Sequence, residues 1–85
     1  MTGADILDRF VSIVKKRSRM ELAGLSRTSR VGELGLDSLA LMETISELEE
    51  ELDLLIPDED LVRLDTVGAF VDRVAELVSM RAGRA

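Results

Sequence analysis

The chain of 85 residues contains no cysteine and no histidine. Without cysteine, no disulfide can staple the fold and no thiolate can bind a metal ion. Without histidine, the chain lacks the commonest general base and the commonest ligand of transition metals. Eighty-five residues suit one small domain, and its modest buried surface limits its stability.

A long hydrophobic run and a signal peptide are also absent from the sequence. No apolar segment approaches the roughly 20 residues that span a bilayer. The first residues carry acids, and no apolar segment of the signal-peptide type follows them. We therefore expect a cytoplasmic domain that does not contact a membrane.

The formal net charge of -6 is unevenly distributed. Residues 1–32 hold seven basic and three acidic residues, whereas residues 33–76 hold two basic and fourteen acidic ones. The acidic segment would repel nucleic acid and attract a partner with a basic surface. A solvated face that confers only solubility explains the same pattern equally well.

Apolar residues recur with helical spacing, and no segment alternates like a strand. A first helix is predicted over about residues 3–17, with Thr2 and Asp5 as a capping box. Residues 18–36 lack a clear period, so we expect a long loop with a turn around Glu21 to Leu25. Apolar side chains should anchor this loop to the core: Met20, Leu22, Leu25, Val31 and Leu34.

Three further helices are predicted after the loop. The second should span about residues 37–53, with Asp37 as its N-cap and Pro57 beyond its end. Its apolar stripe comprises Leu41, Ile45, Leu48 and Leu52, widened by Met42. A short third helix over about 58–63 and a fourth over about 66–80, capped by Thr66, complete the pattern. The fold class is therefore all-α, a four-helix bundle with three longer helices.

Few residues could carry chemistry. The run Asp58-Glu59-Asp60 lacks the alternating acids and central glycine of a calcium loop, and it suits a helix start better. The basic residues of the first third come without aromatic ones, so a DNA-binding module is a weak alternative. Ser38 has no nearby base that would make it a nucleophile. It would lie at the positive end of a helix, where a phosphate ester is favoured.

The segment Glu33-Leu34-Gly35-Leu36-Asp37-Ser38-Leu39 resembles the modification motif of acyl carrier proteins, (D/E)-L-G-x-D-S-L. The similarity continues without a gap over about residues 33–74, and the first helix matches only in pattern. The resemblance implies that Ser38 receives 4'-phosphopantetheine from coenzyme A, in a reaction run by a separate phosphopantetheinyl transferase with Mg²⁺. The thiol of this arm would carry acyl groups as thioesters, so the chain would be a carrier and not an enzyme.

The resemblance also implies which residues meet partners. Asp37 and Leu39 flank the attachment site and would contact the transferase and other enzymes. The docking face of the second helix would comprise Met42, Glu43, Glu47, Glu49 and Glu50, with Ile56 and Leu61 nearby. The partners of this monomeric carrier would be a ketosynthase, an acyltransferase or ligase, and thioesterase-type enzymes with basic docking surfaces. For each acid, a solvated helix face is the alternative.

Some positions bear on the cargo. A cavity for an acyl chain would be lined by Met42, Ile56, Leu61 and Leu64, although simple core packing explains them too. The chain departs from the family where Ala40 replaces a common acid and where Leu54-Leu55 is unusually apolar. Ser46 replaces a more usual apolar residue and would make such a cavity more polar. Fatty-acid and polyketide pathways, a discrete peptidyl carrier and an unmodified helical interaction module all stay open.

Overall fold

The computed structural model describes residues 2–18, 24–63 and 65–82. Its elements in chain order are helix α1 (Gly3–Arg17), a short 3-10 helix (Val31–Glu33), α2 (Ser38–Leu52), α3 (Asp58–Arg63) and α4 (Val67–Ala82). Within these ranges, the β-type pairing is limited to one isolated antiparallel bridge between Arg30 and Thr66. The predicted all-α bundle with three longer helices and a short third one is confirmed.

Side-chain hydrogen bonds cap the N-termini of the helices. Thr2 and Asp5 form the predicted capping box at α1, where the Asp5 N–H donates to the Thr2 hydroxyl at 3.3 Å and the Thr2 N–H donates to the Asp5 carboxylate at 3.0 Å. At α4, the hydroxyl of Thr66 accepts from the Ala69 N–H at 3.2 Å. Each cap satisfies a helix N–H that has no intrahelical partner. Helix α4 continues to Ala82, two residues past its predicted end.

The core lies where α1, α2 and α4 meet. The rings of Phe10 and Phe70 contact each other with centroids 5.0 Å apart, a pairing that adds about 0.5–1.5 kcal/mol to the effect of area burial. Thr44 is a fully buried polar residue, and its hydroxyl donates to the Ala40 carbonyl at 2.8 Å. The other core residues are apolar and buried: Ile6, Ile13, Val14, Leu34, Ile45, Leu48, Ile56, Val67, Val71 and Val74. None of the described helices is both long and apolar enough to cross a membrane.

The loop between α1 and α2 is anchored to this core. Leu34 is buried, and Leu25 and Val31 pack against the core, which confirms three of the predicted anchors. The anchors Met20 and Leu22, and most of the turn predicted around Glu21 to Leu25, lie outside the described residues. The 3-10 helix at Val31–Glu33 was not predicted, because its three residues carry no periodic signal.

Backbone hydrogen bonds attach the same loop to the start of α4. The Val31 N–H donates to the Asp65 carbonyl at 2.8 Å. In return, the N–H groups of Val67 and Gly68 donate to loop carbonyls, each at 2.8 Å. These bonds satisfy the first N–H groups of α4, which have no partner inside the helix.

Gly68 marks a close approach between this loop and α4. A Cβ atom at this position would lie 2.9 Å from the carbonyl oxygen of Arg27 and 3.1 Å from its Cβ. Gly68→Ala should therefore destabilise the fold by about 1–3 kcal/mol, because the backbone has to shift. Urea unfolding followed by circular dichroism measures the effect. Gly3→Ala is the control, since a Cβ there would meet nothing within 4 Å. Equal losses in the two variants would contradict the close approach.

Candidate functional site

Ser38 is the exposed first residue of α2, and the preceding segment fixes its position. That segment starts at Leu34, which is 1% exposed. Gly35 then turns the chain with a φ of 70°, in the left-handed region that glycine adopts without strain. Asp37 is the N-cap of α2, and its carboxylate accepts from the Ala40 N–H at 2.7 Å. A buried anchor and a helix cap therefore present the Ser38 side chain at the surface.

The surroundings of Ser38 fit a phosphate ester. The hydrogen bonds among the described residues include none to its hydroxyl, which leaves the oxygen available for modification. The N–H groups and the dipole at the start of a 15-residue helix favour a negative charge at this end. The neighbouring Asp37 carboxylate accepts a hydrogen bond from the Ala40 N–H, so one of its oxygens is bound to the start of the helix. The residues present thus suit attachment of phosphopantetheine.

A surface groove of about 410 Å³ lies along α2 next to this serine. Leu39 and Met42 line it and are 66% and 68% exposed. Spaced three residues apart on a helix, these two side chains share one face. Large exposed apolar side chains that lie together mark interaction sites. The remaining lining residues are polar or charged: Arg17, Glu43, Ser46, Glu47 and Glu50.

Arg17, the last residue of α1, reaches across to the acids of α2. Its Nη1 donates to the Glu43 carboxylate at 2.6 Å, and its Nη2 donates to Glu47 at 2.8 Å. Lys16 donates to the other carboxylate oxygen of Glu47 at 2.8 Å. The Lys16 side chain remains 64% exposed while it forms this ion pair. Two cations of α1 therefore hold two acids of the predicted docking face.

These contacts change the protonation of Glu47 and Arg17. Hydrogen bonds from Lys16 and then from Arg17 lower the pKa of Glu47 below its ordinary value. The hydrogen bond with Glu47 is the main cause that raises the pKa of Arg17. Glu47 therefore stays ionised to lower pH, and Arg17 stays protonated to higher pH, than the isolated side chains do.

The other predicted docking residues differ in their accessibility. Glu50 is exposed and forms no ion pair within the described part of the chain. Glu49 accepts from the Ile56 N–H at 2.7 Å and so stabilises the connection between α2 and α3. The prediction that Ile56 lies by the docking face does not fit its burial, because this side chain is only 4% exposed and belongs to the core. Leu61 is partly buried against the same core.

A small cavity lies inside the bundle. It has a volume of about 40 Å³ and an apolar lining of Phe10, Val31, Leu41, Ile45, Leu61 and Phe70. A cavity needs about 10–15 Å³ to hold one water molecule, so this cavity has room for roughly three. An acyl chain of more than a few carbons would have to displace the surrounding side chains.

The residues considered for the lining of an acyl cavity have different positions. Leu61 lines the cavity, Ile56 is buried in the core as simple packing predicts, Met42 is exposed against the prediction, and Leu64 lies outside the described residues. Ser46 is exposed in the surface groove, so it does not make the interior more polar. The buried polar side chain of α2 is Thr44, whose hydroxyl is satisfied by the helix backbone.

Three comparisons bear on this site. A family model described as a phosphopantetheine attachment site matches residues 8–74. The acyl carrier proteins of Chlorobium phaeovibrioides and Chlorobium luteolum are each 35% identical over 77 residues, which is 89% of this chain and 99% of theirs. The solution structure of the acetyl actinorhodin acyl carrier protein from Streptomyces coelicolor matches with a TM-score of 0.66 and 30% identity, over 95% of this chain and 94% of that one.

The fold and the matched region define a helical phosphopantetheine-binding domain. The chain belongs to the acyl carrier protein family, which confirms the resemblance seen in its motif. A member of this family bears covalently attached 4'-phosphopantetheine and acts as a carrier and not as a catalyst. It interacts with a phosphopantetheinyl transferase and with biosynthetic enzymes.

The lowered pKa of Glu47 predicts an acid-dependent loss of stability. Since the folded-state pKa lies below the ordinary 4.5, ionised Glu47 stabilises the fold above that value, and its contribution is lost as the pH falls through the folded-state pKa. Glu47→Gln should lower the urea midpoint at neutral pH. The difference in urea midpoint between this variant and the wild type should shrink as the pH falls below 4.5 and through the folded-state pKa.

The control for this titration is Glu50→Gln, an exposed acid of the same helix without an ion pair among the described residues. Its urea midpoint should follow that of the wild type at each pH. A gap for Glu47→Gln that stays constant or widens in acid would contradict the assigned pKa shift.

Proposed function

We propose that Ser38 is the attachment residue for 4'-phosphopantetheine. On this proposal the chain presents acyl intermediates of fatty-acid or polyketide-type biosynthesis to successive enzymes. The observation that carries the proposal is the position of Ser38, exposed at the first residue of α2 directly after the capping Asp37. The family match over residues 8–74 encloses this position.

The bound group supplies a thiol that forms thioesters, which a chain without cysteine cannot offer by itself. The chain's own part is to hold the ester and to keep it accessible. The N–H groups at the start of α2 favour the charge of a phosphodiester on Ser38. The exposed position of this residue leaves the arm outside the packed core.

The transfer to Ser38 needs chemistry that the chain does not provide. A bond forms between the Ser38 Oγ and the phosphorus on the pantetheine side of coenzyme A, while the diphosphate bond breaks. Adenosine 3',5'-bisphosphate leaves, and the serine proton passes to a base. The chain has no histidine, and its Asp37 carboxylate accepts from the Ala40 N–H. We therefore assign the base and the Mg²⁺ site to the transferase.

We further propose that partners dock on the outward face of α2 next to Ser38. This face includes Leu39 and Met42 together with the acids Glu43, Glu47 and Glu50, all of which line one groove. Asp37 is exposed beside the serine and would contact the transferase. We assign a supporting role to the residues that are buried or partly buried: Glu49, Ile56 and Leu61.

A peptidyl carrier would use the same attachment chemistry and differ in its cargo. The similar solved structure is an acetyl form of an acyl carrier protein, and both Chlorobium relatives are named acyl carrier proteins. These relatives favour an acyl cargo over an aminoacyl one. Enzymes that load, extend and release an acyl chain are therefore the proposed partners, among them a ketosynthase, an acyltransferase and a thioesterase.

Intact-mass spectrometry tests the attachment residue. Incubation with coenzyme A, Mg²⁺ and a promiscuous phosphopantetheinyl transferase should add the mass of one phosphopantetheine group. Ser38→Ala should abolish the gain, because the modified oxygen is removed. Ser46→Ala is the matched control, since Ser46 is an exposed serine of the same helix, and it should gain the full mass.

Circular dichroism of the three proteins shows whether each is folded. An unmodified wild type, under conditions that load another acyl carrier protein, would contradict the proposed function. A full mass gain in Ser38→Ala would place the attachment elsewhere.

A further inference from the structure

The acidic surface next to Ser38 is partly neutralised by the chain itself. Arg17 lines the same groove as Leu39 and Met42 and forms ion pairs with Glu43 at 2.6 Å and with Glu47 at 2.8 Å. A docking partner that approaches these carboxylates with a cation therefore finds each of them already paired.

The pair of Arg17 with Glu47 is better shielded than most ion pairs among the described residues. The side chains of Arg17 and Glu47 are 30% and 24% exposed, whereas the pair of Arg81 with Asp53 is 52% and 90% exposed. The Nε atom of Arg17 is buried and forms no hydrogen bond within the described residues. The guanidinium is thus packed between α1 and α2 and held there by its outer nitrogens, and partly buried pairs of this kind are screened less by salt.

The charge balance of the groove follows from this cluster. Three carboxylates border it, those of Glu43, Glu47 and Glu50, and Arg17 and Lys16 lie against two of them. The net charge of these five side chains is therefore -1. Glu50 has no ion pair among the described residues, and the apolar side chains of Leu39 and Met42 are 66% and 68% exposed.

We propose that Arg17 is a specificity-determining residue of the docking surface. By pairing with Glu43 and Glu47, it selects partner enzymes that contact Leu39 and Met42 through an apolar surface carrying few cations. This inference rests on the proposed function of Ser38. It differs from the expectation of a strongly basic partner, because such a partner gains charge attraction from Glu43 only after it displaces Arg17, and from Glu47 only after it displaces both Arg17 and Lys16.

A double-substitution cycle on the transferase reaction tests this role. The KM of a promiscuous phosphopantetheinyl transferase is measured at low salt for the wild type, Arg17→Gln, Glu43→Gln and the combined variant. Arg17→Gln should lower the KM about two- to five-fold, because it frees Glu43 for the partner and leaves Glu47 paired with Lys16 alone. Glu43→Gln should change the KM less than about two-fold alone, but raise it about two- to five-fold when Arg17 is absent.

The controls separate charge from packing. Lys15→Gln removes an exposed cation of the same helical turn that has no ion pair among the described residues, and it should leave the KM unchanged. Met42→Ala should raise the KM about five-fold or more, since it removes an apolar contact. If Arg17→Gln does not fold by circular dichroism, Arg17→Lys replaces it, because an ammonium group lacks the planar fork that bridges two carboxylates.

The outcomes distinguish this inference from the proposed function. If Ser38 gains mass but the effects of Arg17→Gln and Glu43→Gln on the KM are additive, the role of Arg17 is overturned and the proposed function of Ser38 stands. An Arg17→Gln variant that behaves like Lys15→Gln, or that raises the KM, would overturn it as well. If no protein gains mass, wild type included, the assignment of Ser38 fails and this inference fails with it.

Discussion

Leu34 fixes the position of the proposed attachment site through two interactions. Its side chain is buried in the core, and its carbonyl accepts from the Ser18 hydroxyl at the end of α1 at 2.7 Å. Helix α2 begins only four residues later, after the turn at Gly35 and the cap at Asp37. The short segment leaves little freedom for Ser38 to move relative to α1. The motif therefore also has a structural role, because Leu34 and Gly35 place Ser38 at the surface of the protein.

Most of the fold could be predicted because its signals are local. The caps at Thr2, Asp37 and Thr66 act within three residues, and the apolar stripes of the long helices repeat at helical spacing. The same locality made the attachment motif readable, since it occupies one continuous segment. The backbone hydrogen bonds between the loop and α4 could not be predicted from a local sequence pattern, because they join main-chain atoms far apart in sequence.

The side-chain environment of the site was harder to predict. Met42 and Ser46 lie at the border of the α2 stripe, where helical spacing does not decide between core and solvent, and both are exposed. The pairing of Arg17 with Glu43 and Glu47 spans 26 and 30 residues, so it depends on how α1 packs against α2. A signal did exist in the complementary charges of the two helices. The sequence alone did not show which acids of α2 the cations of α1 would meet.

Together these features describe a carrier whose serine is rigidly presented and whose neighbouring acids are partly held within the chain. The central claim is that the cargo arm is attached at Ser38. Trypsin releases residues 31–63 as one peptide that contains both Ser38 and Ser46, since no lysine or arginine lies between its ends. Fragmentation of this peptide, from protein purified out of its native cell, should place a phosphopantetheine mass between Asp37 and Leu39. The same mass on Ser46, or an unmodified peptide, would contradict the account.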